Sequence, residues 1–173
     1  MKKLFIVIDM LNGFAKKGAL YSPLIELLIP HIKEEIVKYK NNLFICDAHS
    51  KDDIEMSSYP LHCLKGTEEA DVVSELKPYV QTKLEKQSTN AFHIFDKKFI
   101  DKYDEFVVVG CCTDICILQF VLSLKTYLNQ NKINKNVVVL KKCTATFDTD
   151  LHDGKTHNEF ALELMKNSGV IIK

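Results

Sequence analysis

The chain has 173 residues, a length that suits one compact unit with a sizeable core. Hydrophobic residues make up 46% and charged residues 27%, the balance of an ordinary globular chain. The 23 cationic residues match 23 acidic ones, and all 23 are lysine, which argues against a nucleic-acid partner, since that calls for a basic surface and arginine forks.

The first apolar run, Leu4–Ile8, reads as a buried strand interrupted by Asp9. It follows Met1-Lys2-Lys3 but is too short for a secretory core, and no small-residue cleavage site follows it. Pro23 to Tyr39 carries Leu24, Leu27, Leu28 and Ile32 with Lys and Glu opposite, the pattern of an amphipathic helix. Leu43–Cys46 is the second strand. From Ser50 to Leu76 the chain is polar, contains Pro60 and Gly66, and keeps no clean period; a long irregular insert of this kind is often functional. Tyr79–Leu84 alternates and reads as a weaker third strand, and Phe106–Val109 is the fourth. A long apolar helix spans Thr113 to Leu128, Val137–Leu140 is the fifth strand, and a helix over Asp153 to Asn167 ends at Ser168-Gly169. Val170–Ile172 is the sixth strand.

Strands alternating with helices predict a three-layer, doubly wound α/β fold: a six-stranded, mostly parallel sheet with helices on both faces. The chain reads as a single domain over 1–173 with an insert at about 47–67. No apolar run approaches the roughly 18–20 residues that span a bilayer, so the expectation is a cytoplasmic protein with no membrane partner. The helix from Thr113 is apolar enough to leave homo-oligomerisation open.

Ligands of open α/β sheets bind at the carboxyl ends of the strands. That rule selects Asp9, Asp47 with His49, Lys86, and the segment Gly110 to Cys116. In this segment a buried strand ends at Gly110 and enters a helix capped by Thr113 or Asp114, which puts Cys116 in the first turn. Unpaired N–H groups there favour a thiolate and can hold an oxyanion. The alternative is a packed structural cysteine. A third reading pairs Cys112 and Cys116, four apart, as a redox couple. A nucleophilic cysteine needs a base, and Asp9 and Lys86 supply a carboxylate to move a proton and a cation to favour the thiolate. Read singly, Asp9 could be a cap and Lys86 one more solvated lysine.

The second constellation is Asp47-Ala48-His49, then Glu55, then His62. These are oxygen and imidazole donors for a borderline divalent ion, against a bland reading of loop caps and surface histidines. Cys63 is a candidate soft ligand but reads better as a structural thiol. His31, His93, His152 and His157 read as ordinary surface or packing residues.

These motifs occur together in one family. Ile8-Asp9-Met10-Leu11-Asn12-Gly13-Phe14 with Gly18-Ala19-Leu20, Asp47-Ala48-His49, Tyr59-Pro60-Leu61-His62-Cys63 with Gly66-Thr67, Lys86 with Ala91-Phe92, and Gly110-Cys111-Cys112-Thr113-Asp114-Ile115-Cys116-Ile117 follow one another along nearly the whole chain. The chain resembles the isochorismatase-like cysteine hydrolases, and most nearly their nicotinamidase branch. The resemblance implies a triad of Asp9, Lys86 and Cys116, an oxyanion hole from the backbone N–H groups of Cys112 and Cys116, and a cis peptide at Cys111–Cys112. It implies hydrolysis of a small-molecule amide, nicotinamide above all, through a cysteine thioester. It further implies one divalent metal ion, zinc first and iron or manganese as alternatives, on Asp47, His49 and His62, with Glu55 where some members add a fourth ligand. Phe14 and Tyr59, with Cys112, then line the substrate. The sequence departs from the family at Leu11, often Gln; at Tyr59, commonly Trp; and at Thr89, usually aromatic. Other readings are hydrolysis of another small amide, or a non-catalytic metal-binding protein on the same fold.

Overall fold

A computed structural model describes all 173 residues. Six strands form one sheet in the order β3-β2-β1-β4-β5-β6. They are β1 (Lys3–Ile8), β2 (Asn42–Asp47), β3 (Lys83–Lys86), β4 (Glu105–Cys111), β5 (Asn136–Ala145) and β6 (Ile171–Ile172). Every neighbouring pair is parallel. Parallel strands covered on both faces need apolar side chains pointing both ways, which is why β1 is apolar at every position from Leu4 to Ile8. Phe5 and Val7 pack on one face with Phe44 and Val107; Leu4, Ile6 and Ile8 pack on the other with Phe106 and Val108.

Six helices cover the sheet: α1 (Asn12–Ala15), α2 (Pro23–Glu26), α3 (Leu28–Ile36), α4 (Lys98–Lys102), α5 (Leu118–Gln130) and α6 (Gly154–Asn167). α3 lays Leu28, Ile29, Ile32 and Ile36 on the first face. α5 lays Phe120, Val121, Leu124 and Leu128 on the second, beside Ala161 and Met165 of α6. No helix is long and apolar enough to cross a membrane.

Several boundaries differ from the sequence reading. The helix expected over Pro23 to Tyr39 is two helices that part at Leu27. Pro30 has no N–H to give the Glu26 carbonyl, so the ladder cannot run through. The third strand lies at Lys83–Lys86 rather than Tyr79–Leu84, because Pro78 helps turn Lys77–Tyr79 into a short 3₁₀ segment. The helix expected from Thr113 opens with a single π turn over Thr113–Ile117, where the Ile117 N–H donates to the Cys112 carbonyl at 3.1 Å. Neither Thr113 nor Asp114 caps it; Cys112 holds that position in extended conformation. The fifth strand continues past Leu140 to Ala145, with a register shift against β4 that leaves Lys141 and Lys142 exposed.

Asp153 does cap α6, accepting from the Thr156 N–H at 2.7 Å, and Gly169 follows the helix with φ +86°.

The chain winds outward from β1 through β2 to β3, then returns to lay β4 on the other side of β1. The crevice at the carboxyl ends of β1 and β4 is therefore the switch point of the sheet.

Candidate active site

Each strand end delivers one side chain into this crevice. Asp9 follows β1 with φ +53°, an uncommon conformation that a short acidic side chain tolerates. Asp47 and Lys86 are the last residues of β2 and β3 and are register partners. Cys116 lies in the π turn beyond β4, and the peptide between Cys111 and Cys112 is cis, as the resemblance implies.

The Lys86 ammonium gathers these groups. It lies 2.9 Å from Asp9 Oδ2, donates to Asp47 Oδ1, and reaches Cys116 Sγ at 3.7 Å. Asp9 Oδ1 also accepts from the Asp47 N–H at 2.8 Å. All four side chains are buried. Burial therefore decides their charges as much as pairing does. Burial lifts the Asp9 carboxyl to about 6, Asp47 adds to the rise, and Lys86 opposes it. Burial also pushes on Asp47, but Lys86, His49 and His62 outweigh it and hold that carboxyl below its ordinary value. Burial works against the Lys86 charge, but the carboxylates of Asp9 and Asp47 overcome it and keep the ammonium protonated.

The sequence reading expected a thiolate at Cys116. Here burial drives the thiol well above its ordinary value, and the repulsion of Asp9 and Asp47 adds to this against Lys86. The ammonium is already shared by two carboxylates, so the resting sulfur keeps its proton. Cys112 and Cys116 are free thiols, as are the other four cysteines.

The second constellation also assembles. His49 pairs with Leu64 in a parallel bridge, its N–H donating to the Cys63 carbonyl at 3.1 Å, and this returns the insert so that His62 faces His49. Donor atoms of Asp47, His49 and His62 lie within 4.8 Å of one another. His62 Nδ1–H donates to the Pro60 carbonyl at 2.8 Å, and His49 Nδ1 lies 3.0 Å from Asp53 Oδ2. Both Nε2 atoms are thereby turned toward Asp47, at 3.4 and 3.7 Å. Buried His49 Nε2 has no hydrogen-bond partner. Two imidazole nitrogens facing one carboxylate in a buried site fit a cation, and the nitrogen and oxygen donors suit a borderline divalent ion. Glu55 stands apart from this cluster: its Oε2 accepts from the Thr89 N–H at 3.0 Å.

A cavity of about 240 Å³ joins the two constellations. Asp9, Asp47, His62 and Cys116 line it, as do Glu55 and the residues read as substrate contacts, Phe14, Tyr59 and Cys112. Phe14 and Tyr59 meet the His62 ring edge-on, with centroids 5.6 and 6.2 Å away. Besides Tyr21 to Pro23, the wall beyond β5 escaped the sequence reading: Phe147, Asp148 and Thr149. Ending the fifth strand at Leu140 hid them; the same strand-end rule applied at Ala145 finds them. His152, read as an ordinary loop histidine, ties this wall to the nucleophile turn. It is stacked between Phe147 and His157, with Nε2 2.8 Å from Asp114 Oδ2. Asp53, behind His49, was masked by its acidic neighbour Asp52.

The isochorismatase domain description matches residues 3–172. This chain belongs to the isochorismatase family. As a family member it is a hydrolase, with nicotinamidase-like relatives. Nicotinamidase 1 of Arabidopsis thaliana is 30% identical over 194 residues, covering 95% of this chain and 79% of that protein. Among solved structures, nicotinamidase PncA from Bacillus subtilis superposes with a TM-score of 0.80 at 26% identity, covering 99% of each chain. The pyrazinamidase of Pyrococcus horikoshii in complex with zinc shares the fold with a TM-score of 0.80, at 23% identity over 100% of this chain and 99% of that one.

The ion-paired trio makes a stability prediction for this family member. Lys86→Met keeps most of the side-chain volume but leaves Asp9 and Asp47 buried without their cation. Urea unfolding of the metal-free protein should show a loss of about 3–5 kcal/mol. A loss below about 1 kcal/mol would mean that the two carboxylates are neutral or solvated.

Proposed function

We propose that the protein is a metal-assisted nicotinamidase, converting nicotinamide and water to nicotinate and ammonia through a cysteine thioester. The reading includes one chain-long unit over 1–173 whose insert at about 47–67 carries metal ligands, and a cytoplasmic location, which six free cysteines suit. The observation that carries it is a single ammonium, Lys86, within 2.9 Å of Asp9 and 3.7 Å of Cys116 Sγ, beside a cavity that also meets Asp47 and His62.

In this mechanism Asp9 removes the Cys116 proton as the sulfur adds to the amide carbon. A base of pKa about 6 is charged near neutrality and is strong enough for that work. Lys86 offsets the negative charge as the proton leaves. The backbone N–H groups of Cys112 and Cys116 receive the developing oxyanion. Asp9 then protonates the departing nitrogen, ammonia leaves, and the acyl group remains on sulfur. Water adds to the thioester carbon, giving one proton to Asp9; the carbon–sulfur bond breaks, Asp9 returns that proton to the sulfur to restore the thiol, and the product acid gives its remaining proton to solvent and leaves as the carboxylate. Asp47, His49 and His62 would hold the metal, which when bound would supply a Lewis acid that polarises the substrate. Phe14 and Tyr59 flank the flat ring.

A second reading keeps the three residues but changes the amide, and the departures at Leu11, Tyr59 and Thr89 favour testing it. Ammonia release is measured with nicotinamide, pyrazinamide and a panel of aliphatic amides. The expected result is turnover of the two ring amides, a fall of about tenfold or more after chelation, and recovery with zinc, iron or manganese. If only aliphatic amides are cleaved, the second reading replaces the first. If none is cleaved, both fail.

A further inference from the structure

Hydrolysis of a carboxamide changes charge: a neutral substrate becomes an anionic product. The cavity over Cys116 is built to notice that change. Four carboxylates line it, Asp9, Asp47, Glu55 and Asp148, and no lysine side chain is among its lining residues. The chain has no arginine to answer them. Two of the four are matched, since Lys86 pairs with Asp9 and Asp47. The other two meet only neutral dipoles. Glu55 accepts from the Thr89 N–H at 3.0 Å, and Asp148 accepts from the Gly154 N–H at 2.8 Å. Lys86 and a bound divalent ion together still leave the four carboxylates in excess by one charge.

We propose that Glu55 and Asp148 form an anion-excluding rim that admits neutral and cationic carboxamides, rejects amides bearing a carboxylate, and speeds departure of the carboxylate product. The statement about substrate and product rests on the amide-hydrolysing function proposed above; exclusion of anions from Cys116 does not. Both residues act on specificity, at a distance from the reacting atoms. The opposing effect is Lys86, which would draw anions toward the sulfur were its charge not already shared with two carboxylates. Glu55 is half-buried and Asp148 exposed, so each acts across a partly solvated mouth, where a single charge changes the local concentration of a monovalent anion by about threefold.

Iodoacetamide and iodoacetate test this directly, because they differ in charge and little else. In both, the Cys116 sulfur forms a bond to the methylene carbon, iodide leaves with the carbon–iodine electron pair, and the thiol proton passes to Asp9 or water. Alkylation of Cys116 in the zinc-loaded protein is followed by peptide mass spectrometry, and the ratio of the two rates is compared with that of free cysteine. The expected ratio favours iodoacetamide by about tenfold more than free cysteine does. Added salt should reduce it in the unaltered protein. Glu55→Gln and Asp148→Asn each keep an acceptor oxygen for the N–H group they meet, and each should lower the ratio about threefold. In the double variant, nicotinate should become a correspondingly stronger inhibitor. A ratio at or below that of free cysteine, no change in the double variant, or no reaction with either reagent would overturn the rim. A high ratio without nicotinamide turnover would sink the proposed function and leave the rim standing; turnover with an ordinary ratio would do the reverse.

Discussion

Cys116→Ala should release ammonia from nicotinamide at least about 10⁴-fold more slowly than the unaltered protein, while remaining folded. The size of the loss follows from the chemistry. Alanine offers no electron pair to the amide carbon, and Asp9, Lys86 and the oxyanion donors then act only on bound water. The fold should survive because the change removes one sulfur atom from a cavity wall. That costs about 1 kcal/mol in a packed site and less beside an open pocket. Circular dichroism and urea unfolding check the fold, and a coupled ammonia assay checks the rate. Activity within about tenfold of the unaltered protein would remove Cys116 from the mechanism. The same variant addresses the redox reading: an amidase rate kept without this sulfur, together with loss of the oxidant response of the unaltered protein, would point to the Cys112–Cys116 pair.

Gly110→Ala should prevent the chain from folding, with a cost of at least about 4 kcal/mol. Gly110 sits opposite Ile8 in the central strand pair, with φ +115°. A Cβ placed there would lie 1.9 Å from the Ile8 carbonyl oxygen and 2.9 Å from its backbone carbon and nitrogen. Backbone in the middle of a sheet cannot move aside as a flexible side chain can. Relieving the clash means separating β1 from β4, the two strands that present Asp9 and the nucleophile turn. Gly66→Ala is the control: its φ is +82°, but nothing lies within 4 Å of the new methyl, so only the backbone cost of about 1 kcal/mol applies. Soluble yield and unfolding free energies of the two variants compare these costs. Equal stability in both would show that β1 and β4 can part without loss.

Much of the fold was legible along the chain. Apolar runs such as Leu4–Ile8 and Phe106–Val109 mark strands buried on both faces, and their polar or glycine ends mark the functional edge of the sheet. That rule selects Asp9, Asp47 with His49, Lys86 and the Gly110–Cys116 segment from the chain alone. The apolar-run signal failed to bound β3, whose Lys83-Leu84-Glu85-Lys86 is an edge strand half open to water and so carries little apolar signal. It failed again at β5, where Lys141 and Lys142 interrupt the apolar run although the strand continues. The wall at Phe147 to Thr149 was lost with it.

The sequence by itself determined the alternation of strand and helix, the family, and the identities of the residues gathered at the strand ends, because burial periodicity and motif order are written locally along the chain. Only the tertiary structure decided that Lys86, one lysine of 23, is the buried one, that Glu55 meets Thr89 instead of His49 and His62, and that the resting sulfur is a thiol. Charge states in a buried cluster depend on distances between segments far apart in the chain, and on how completely water is removed from each group.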